Sequence, residues 1–192
     1  MVLTYVDVLA GGKPVGRRVA VVGAGGIGFD VAEFLVNGGH GPDLAAWMAE
    51  WGVADPETAR GGLTAPLPPA PARQVILLQR KAAKPGAGLG KTTGWIHRAT
   101  LKARKVEMLG GVSYDRIDDR GLTIGLGKGP GKTRLLEVDN VILCTGQEPL
   151  RELQAPLLAA GVRVHLIGGA DVAAELDARR AIDQGTRLAA RL

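Results

Sequence analysis

A short glycine-rich segment, Gly23-Ala24-Gly25-Gly26-Ile27-Gly28, fits the pattern G-x-G-x-x-G. An apolar run at residues 19–22 precedes it, and apolar residues at helical spacing follow it. In this setting the first glycine permits a tight turn, the second lets a pyrophosphate approach the backbone, and the third lets helix and strand pack closely. The helix N-terminus also favours an anion. The segment therefore predicts a dinucleotide-binding turn, and the alternative is a plain glycine turn between strand and helix.

The next apolar run, residues 75–78, is followed by Gln79, Arg80 and Lys81, with Lys84 close behind. A site that selects NAD carries a carboxylate here to accept the ribose hydroxyls, and this sequence has none. Arginine and lysine instead suit the 2′-phosphate of NADP. We therefore expect NADP(H) rather than NAD. The alternative is a solvated basic loop, and residues 37–73 stretch the usual spacing of about 20 residues.

A second glycine-rich segment, KPGAGLGKTTGW, spans residues 84–95. It contains Gly90-Lys91-Thr92, which matches the end of the triphosphate-binding loop pattern. That pattern also requires a glycine where this sequence has Pro85. The segment does not follow its strand directly, and no apolar strand ends in a magnesium-holding aspartate. We expect Lys91 and Thr92, near the start of a helix, to lie over the cofactor phosphates or the nicotinamide. A nucleotide triphosphatase is the less favoured alternative.

The remaining residues that could carry chemistry are scattered. The histidines, His40, His97 and His165, form no pair at metal-ligand spacing with a carboxylate, so we expect no metal site. Ser113, the only serine, lies in no nucleophile motif. Cys144, the only cysteine, excludes an internal disulfide or a multi-cysteine cluster and suits a reducing compartment. We therefore expect no Ser-His-Asp or Cys-His nucleophile system in these segments.

Composition narrows the class of protein. The chain has 192 residues, enough for one sizeable core or for one domain and part of another. A net charge of +5 suits anionic small molecules, and the basic residues lack the aromatic interleaving of nucleic-acid binders. No apolar run approaches about 18 residues and no leader pattern opens the chain. We expect a cytoplasmic protein that has no membrane span and no nucleic-acid partner.

Alternating strands and helices must position these segments. Strands are predicted at the first apolar run and at QVILLQRK, VEMLGGV, NVILC and VHLI. Helices are predicted after the first glycine motif, at about Thr92–Arg104, near Arg151–Ala160, and over residues 178–192. Residues 121–138 predict a β-hairpin, and residues 37–73 an excursion with a short amphipathic piece and a Pro/Gly-rich stretch. The fold class is α/β, a Rossmann-like three-layer domain with a mostly parallel sheet, helices on both faces and an antiparallel excursion.

Four segments together resemble the bacterial NADPH-dependent 2,4-dienoyl-CoA reductase family. They are GAGGIGFD, LQRKAAKPGAGLGKTTGWIHR, VILCTGQEP and VHLIGGADVAAELDARRAIDQGTRLAARL. The last looks like a C-terminal flavin-contacting segment, and VILCTGQEP like the strand near the flavin-domain junction. The resemblance covers essentially the whole chain.

The resemblance implies that this chain is only the C-terminal part of that family's protein. The family's full chain has an FMN-bearing (β/α)8 barrel with a four-cysteine iron-sulfur cluster, then an FAD domain into which an NADPH domain is inserted. Nothing here matches the barrel, the cluster or the first FAD-binding glycine motif, so these parts are expected upstream of Met1. The implied domains are a linker from the missing FAD half (1–16), an NADP(H)-binding domain (17–146) and a partial FAD-binding segment (147–192).

The matching motifs also imply roles for residues. The glycine turn would hold the NADPH pyrophosphate, and Arg80 and Lys81 its 2′-phosphate. Gly169 and Asp171 would meet FAD, the aspartate accepting a ribityl hydroxyl, and Arg179 to Ile182 would open the helix region under the isoalloxazine. The expected cofactor-binding residues are Gly23, Gly25, Gly26, Ile27, Gly28, Arg80, Lys81, Lys91, Thr92, Gly146, Gly169, Asp171, Arg179, Ala181 and Ile182.

The function implied is that of a flavoprotein oxidoreductase in fatty acid β-oxidation, in which NADPH passes hydride to FAD for reduction of an unsaturated acyl-CoA. The partners implied are NADPH, the missing barrel and the missing FAD half. This chain alone is expected to bind nucleotide with little or no turnover. The alternatives are a stand-alone NADP(H)-binding module without catalysis and the P-loop-like triphosphatase.

Overall fold

The computed structural model describes residues 1–37, 43–127, 131–174 and 176–192. His40 and the tip of the predicted hairpin lie outside the described residues. The described chain divides into two compact units, Met1–Cys144 and Thr145–Leu192.

Strands dominate the first unit, and its described residues form β1 (Val2–Thr4), β2 (Arg18–Val22), β3 (Gln74–Gln79), β4 (Glu107–Gly110), β5 (Val112–Asp118), β6 (Gly121–Leu126), β7 (Thr133–Leu136) and β8 (Asn140–Leu143). Five strands form a parallel sheet in the order β1-β8-β2-β3-β4. The strands β5, β6 and β7 form an antiparallel sheet in chain order. The predicted α/β class with a parallel sheet and an antiparallel excursion is confirmed.

The central strand β2 is covered on both faces. Val19 and Val21 pack in one core cluster, whereas Ala20 and Val22 pack in another. All four side chains are buried. A strand that is buried on both faces has no place for an alternating polar residue, which explains its continuous apolar run.

The four helices described in the first unit are α1 (Tyr5–Leu9), α2 (Gly26–Asn37), α3 (Leu44–Trp51) and α4 (Gly94–Ala103). Helices α1, α2 and α4 cover one face of the parallel sheet, where Phe29 and Leu101 are fully buried. The antiparallel sheet covers the other face through Leu122 and Ile124. The prediction of helices on both faces is therefore wrong for this unit, because the apolar side of the hairpin supplies the second outer layer.

The predicted strand VEMLGGV is in fact divided between the two sheets. Its first part is β4, and β5 begins at Val112 after the chain turns at Gly111, which has a φ of +72°. Glycine adopts this left-handed backbone conformation at little steric cost. This turn lets the chain leave the parallel sheet and build the layer over its other face.

The excursion after α2 is held to the domain by a buried ion pair. The helix α3 begins after Asp43, whose carboxylate caps it, and ends at Gly52 in the left-handed conformation. Beyond a bridge between Val53 and Leu63, the stretch has little regular structure, as its proline and glycine content predicts. Glu50 pairs with an arginine at the end of α4, which ties the excursion to the helix layer.

Residues 1–16 form β1 and α1 within the first unit. Among the described strands, β1 pairs only with β8, which makes it one of the two edge strands of the parallel sheet. Thr4 and Asp7 form a reciprocal capping box at the start of α1. Val8 is buried in the core cluster that α2 also shares.

The second unit contains α5 (Gln154–Ala159), a short 3-10 turn at Gly168–Ala170 and α6 (Ala178–Ala189). Both helices were expected from the sequence. The strand predicted at residues 164–167 is wrong, because these residues pair with no described strand. Across the described parts of both units, no helix combines the length and the apolar character needed to cross a membrane.

Candidate dinucleotide-binding site

The first glycine motif lies at the carboxyl edge of the parallel sheet, directly after β2. The strand β3 pairs with one side of β2, and β8 pairs with the other, so the strand order reverses at this point. Open parallel sheets bind ligands in the crevice at such a point, outside the carboxyl ends of the strands. The motif therefore has the position that dinucleotide binding requires.

Two glycines of the motif are enclosed by backbone atoms. Gly23 has a φ of +113°, its N–H donates to the carbonyl of Leu78 at 2.9 Å, and a Cβ there would overlap the carbonyl oxygen of Cys144. A Cβ on Gly28 would stand 2.9 Å from the carbonyl carbon of Gly23 and would overlap its oxygen. Both positions exclude a side chain, as the tight-turn and close-packing roles require.

The middle of the motif is open. A Cβ built on Gly25 or Gly26 would meet no atom within 4 Å. Ile27 is half-buried and packs against the helix-side core. Because α2 begins at Gly26, the N–H groups of its first turn have no intrahelical partner. The open space therefore lies where these N–H groups and the helix dipole favour a phosphate.

The predicted cations follow the neighbouring strand β3. The side-chain amide of Gln79 donates to the carbonyl oxygens of Lys81 and Ala83 at 2.9 and 2.8 Å, which fixes the turn. Arg80 and Lys81 are exposed. The positive charge of Arg80 acts on Tyr114, where it opposes the rise in pKa that burial causes. Two exposed cations thus follow the strand that pairs with β2.

The second glycine-rich segment forms successive turns before α4. Gly86 is buried with a φ of +76°, and a Cβ there would stand 2.6 Å from Cζ of Phe29. Phe29 directly follows the glycine motif on α2. Lys91 and Thr92 are exposed just before the helix begins at Gly94. The segment is therefore anchored to α2 and presents its polar residues outward.

The other reactive side chains of the first unit are shielded or paired. Burial raises the pKa of the Cys144 thiol to about 12. The hydroxyl of Ser113 donates to Asp115 at 2.8 Å, and Nδ1 of His97 lies 3.4 Å from Oε2 of Glu33. Within the residues that the structure describes, no group of three His, Cys, Asp or Glu side chains could hold a metal ion.

The second unit contains a turn held by side chains. Gly168 has a φ of +57°, and its N–H donates to Oε1 of Gln184 at 2.8 Å. Gln184 in turn donates to the carboxylate of Asp171 at 2.6 Å. Arg151 donates to the carbonyl oxygens of Ala170, at 2.6 Å, and Asp171. The aspartate that the resemblance assigned to FAD is therefore fixed in place by a neighbouring glutamine.

The remaining predicted residues of the second unit are dispersed over it. Gly169 lies in the same turn as the aspartate. Arg179 and Ile182 are exposed on α6, whereas Ala181 is half-buried on the same helix. Gly146 has a φ of +134° and open space around its Cβ position.

Three residues of these arrangements were missed by sequence reasoning. Arg98 donates from Nη1 to the carbonyl oxygen of Gly86 at 2.9 Å, and Gln184 and Arg151 hold the turn of the second unit. Each binds backbone carbonyl or N–H groups. Such bonds impose no residue spacing, so the sequence carries no pattern that identifies them.

The known proteins to which this chain is similar are redox proteins. The family model of pyridine nucleotide-disulphide oxidoreductase matches residues 5–180. A metal reductase of Desulforamulus reducens is 27% identical over 166 residues, which cover 85% of this chain and 23% of that protein.

Similar solved structures include a 2-naphthoyl-CoA reductase in complex with 2-naphthoyl-CoA, with a TM-score of 0.70 and 18% identity over 100% of this chain and 23% of that one. They also include the 6-hydroxypseudooxynicotine amine oxidase of Pseudomonas geniculata N1, with a TM-score of 0.69 and 20% identity over 97% of this chain and 24% of that one. A third is the histamine dehydrogenase of Rhizobium sp. 4-9, with a TM-score of 0.66 and 19% identity over 100% of this chain and 26% of that one.

At such identities these structures show a shared fold. The chain spans about a quarter of the length of the proteins it resembles. Because the family model matches residues 5–180 out of 192, this chain belongs to the pyridine nucleotide-disulphide oxidoreductase family.

Proposed function

We propose that this chain supplies the NADPH-binding part, and part of the FAD-binding part, of a longer flavoprotein reductase of the 2,4-dienoyl-CoA reductase type. Family membership supports the redox class. One observation carries the proposal: the space outside Gly25 and Gly26 is open within a turn in which Gly23 and Gly28 tolerate no side chain. A backbone that is closed on its inner side and open on its outer side is suited to a pyrophosphate.

The residues around this turn would each bind a different part of the dinucleotide. The N–H groups at the start of α2 would donate to the pyrophosphate. Arg80 and Lys81 would bind the 2′-phosphate by charge-assisted hydrogen bonds, and the planar guanidinium can also stack on the adenine. Lys91 and Thr92 would approach the phosphates from the second glycine-rich segment. These contacts bind and orient the dinucleotide.

In the second unit, Gly169 and Asp171 would hold FAD. The carboxylate of Asp171 keeps acceptor capacity for a ligand hydroxyl while Gln184 occupies one of its oxygens. With both cofactors bound, NADPH supplies a hydride and FAD accepts it. The rate of hydride transfer depends on the relative position of the nicotinamide and the flavin and on the distance between them, so we assign no general acid or base to the residues of this chain.

The acyl-CoA substrate is the most specific part of the proposal. One similar structure is a 2-naphthoyl-CoA reductase bound to 2-naphthoyl-CoA, so the fold occurs in a protein that binds a CoA thioester. The resemblance assigns the substrate site, FMN and the iron-sulfur cluster to an N-terminal barrel outside these residues. This chain by itself would then bind nucleotide with little or no turnover.

Titration calorimetry with NADPH and NADH tests the proposal. We expect NADPH to bind more tightly, and we expect Lys81→Ala to weaken NADPH binding by roughly tenfold or more with little effect on NADH. Lys132→Ala removes an exposed positive charge elsewhere in the unit and serves as the matched control. Equal affinities for the two dinucleotides, or no loss of NADPH affinity in the Lys81 variant, would contradict the proposal that Arg80 and Lys81 bind the 2′-phosphate.

A stand-alone NADP(H)-binding module is the second candidate, because the glycine turn and both cations lie within the first unit. It predicts tight NADPH binding but no flavin binding, even when the preceding part of the longer chain is supplied. A triphosphatase predicts magnesium-dependent ATP binding that is lost in Lys91→Ala. Either result would displace the flavoprotein assignment.

A further inference from the structure

The loop at residues 84–93 has a buried inner side and a charged outer side. Backbone hydrogen bonds close its turns, from Ala87 N to Lys84 O at 3.0 Å and from Gly94 N to Gly90 O at 2.7 Å. Gly86 is buried, and Leu89 packs against the helix-side core. The two lysines of the loop, at positions 84 and 91, are exposed. The loop is therefore a folded element of the unit and not an unstructured connection.

Two contacts fix this loop at one residue, Gly86. Nη1 of Arg98 donates to the carbonyl oxygen of Gly86 at 2.9 Å. The ring of Phe29 lies so close to Gly86 that a Cβ on this glycine would stand 2.6 Å from Cζ. Phe29 donates its N–H to Gly25, inside the glycine motif. Arg98 and Phe29 together therefore set the position of the loop relative to that motif.

The charges of the loop have no partner in the described chain. Lys84 and Lys91 of the loop, like Lys81 before it, form no ion pair with a carboxylate of residues 1–37, 43–127, 131–174 or 176–192. Like charges repel one another, and a loop that carries them is held in one conformation only by other contacts. The hydrogen bond from Arg98 is such a contact. It holds the cations in place while leaving their ammonium groups free.

We propose that Arg98 is a positioning residue for the dinucleotide site. It ties Gly86, which also contacts Phe29 of α2, to α4, so that Lys91 and Thr92 of the 84–93 loop meet the phosphates of NADPH without reorganisation on binding. The inference rests on the proposed function, since it assigns a ligand to the loop. It adds a residue that need not touch the ligand and that acts through the backbone of Gly86. A loop ordered before binding loses less entropy when the ligand arrives.

The test combines limited trypsin digestion with NADPH titration of the 192-residue chain. Trypsin cleaves after Lys91 but is blocked after Lys84 by the proline that follows, so cleavage between residues 91 and 92, followed by mass spectrometry, reports opening of the loop. In Arg98→Met, which keeps the apolar stem and removes the donor, we expect this cleavage to accelerate and the Kd for NADPH to rise, each by roughly tenfold. Arg98→Lys keeps a donor and a charge and should recover most of both properties.

Lys102→Met is the matched control, because it removes a positive charge from an exposed position on the same helix. It should change neither measurement. Thermal unfolding checks that every variant is folded. If Arg98→Met loses NADPH affinity but is cleaved like the wild type, Arg98 acts on the ligand directly and the positioning role is wrong.

If Arg98→Met is cleaved faster but binds NADPH normally, the loop does not serve the dinucleotide, and the inference is also wrong. If the wild-type chain fails to bind NADPH, the proposed function fails and the role of Arg98 fails with it. A wild-type chain that binds NADPH, together with an Arg98 variant that does not differ from it, overturns the inference alone.

Discussion

The carbonyl group of Gly23 fills the space into which a side chain at Gly28 would project. The end of β2 and the first turn of α2 are therefore in direct backbone contact. Because both partners are backbone atoms, no change of side-chain rotamer can relieve an overlap between them. The position of α2, and with it the direction of its free N–H groups, depends on the absence of a single methyl group.

Gly28→Ala should therefore lower the free energy of unfolding by about 3 kcal/mol or more, since strand and helix must separate to admit the methyl group. Urea unfolding followed by circular dichroism measures this loss. Gly90→Ala is the control, because its Cβ would approach only Oγ1 of Thr93, at an ordinary 3.5 Å. A Gly28→Ala protein as stable as the wild type would show that the turn is looser than the structure indicates.

Gly25→Ala should leave stability unchanged and weaken NADPH binding. A Cβ at this position meets no atom within 4 Å, so the free energy of unfolding should change by less than about 0.5 kcal/mol. The methyl group would nevertheless occupy the space assigned to the pyrophosphate, and NADPH affinity should fall by more than about tenfold. Titration of a variant that unfolds like the wild type separates the two effects. Unchanged NADPH affinity would remove the ligand from this turn.

Local patterns in the sequence were sufficient to predict the glycine turn and the strands on either side of it. The roles of Gly23 and Gly28 depend on neighbours that the strand-turn-helix pattern itself specifies. Whether a helix or a sheet covers the second face of the parallel sheet is decided by distant contacts, such as those of Leu122 and Ile124. The alternating pattern of the hairpin predicts one apolar face but not the surface on which it packs.

The wrongly predicted strand in the second unit and the side chains that sequence reasoning missed have related causes. The apolar run at residues 164–167 reads as a strand, but a strand needs a partner, and the sequence of the run does not say whether one is available. Arg98 and Gln184 bind backbone groups that any residue could supply. Contacts of this kind are determined by the folded backbone and cannot be predicted from residue type and spacing.

The ion pair between Glu50 and Arg104 should be costly to break from one side. Both residues are at most 9% exposed, and the guanidinium donates to both carboxylate oxygens at 3.2 and 3.0 Å. Arg104→Met leaves a buried, uncompensated carboxylate, and we expect a loss of about 3 to 5 kcal/mol by urea unfolding. Adding Glu50→Leu should recover much of it. Strictly additive losses would mean that the two side chains are not coupled.

An exposed pair of the same unit provides the control for that measurement. Arg116 lies 2.7 Å from Asp118, but its side chain is 59% exposed. Arg116→Met should therefore cost less than about 1 kcal/mol. A comparable loss in both arginine variants would point to a general effect of removing charge.

The carboxylate of Asp7 should titrate well below its normal range. The hydrogen bond from Lys13, followed by those from the backbone and side chain of Thr4, lowers the pKa of Asp7 from 3.8 to about 2. Because the folded-state pKa lies below the unfolded one, the stabilisation is present above about pH 4 and is lost as the pH falls toward 2. Lys13→Met should raise the pKa toward 3.8 in a carbon-13 NMR titration, whereas Lys102→Met should not. An unchanged value in Lys13→Met would assign the shift to the capping box alone.

The thiol of Cys144 should be unreactive in the folded chain. Burial raises its pKa from 9.0 to about 12, so the thiolate fraction at pH 8.5 should be lower by roughly three orders of magnitude than in the unfolded chain. Iodoacetamide should therefore react with it much faster in urea than in buffer. Because the folded-state pKa is the higher one, the stability contributed by the neutral thiol is complete below about pH 9 and is lost as the pH rises toward 12.

Cys144→Ala tests whether this thiol contributes to NADPH binding. The chain has one cysteine, so no disulfide can form within it, and the atoms of residue 144 that lie against Gly23 are its carbonyl group and its Cβ, both of which alanine keeps. NADPH affinity measured by calorimetry should therefore stay within about threefold of the wild-type value, since the turn proposed to bind the pyrophosphate is unchanged. A large loss of affinity would show that the thiol contributes to NADPH binding, and rapid alkylation of the native protein would show that the thiol is accessible.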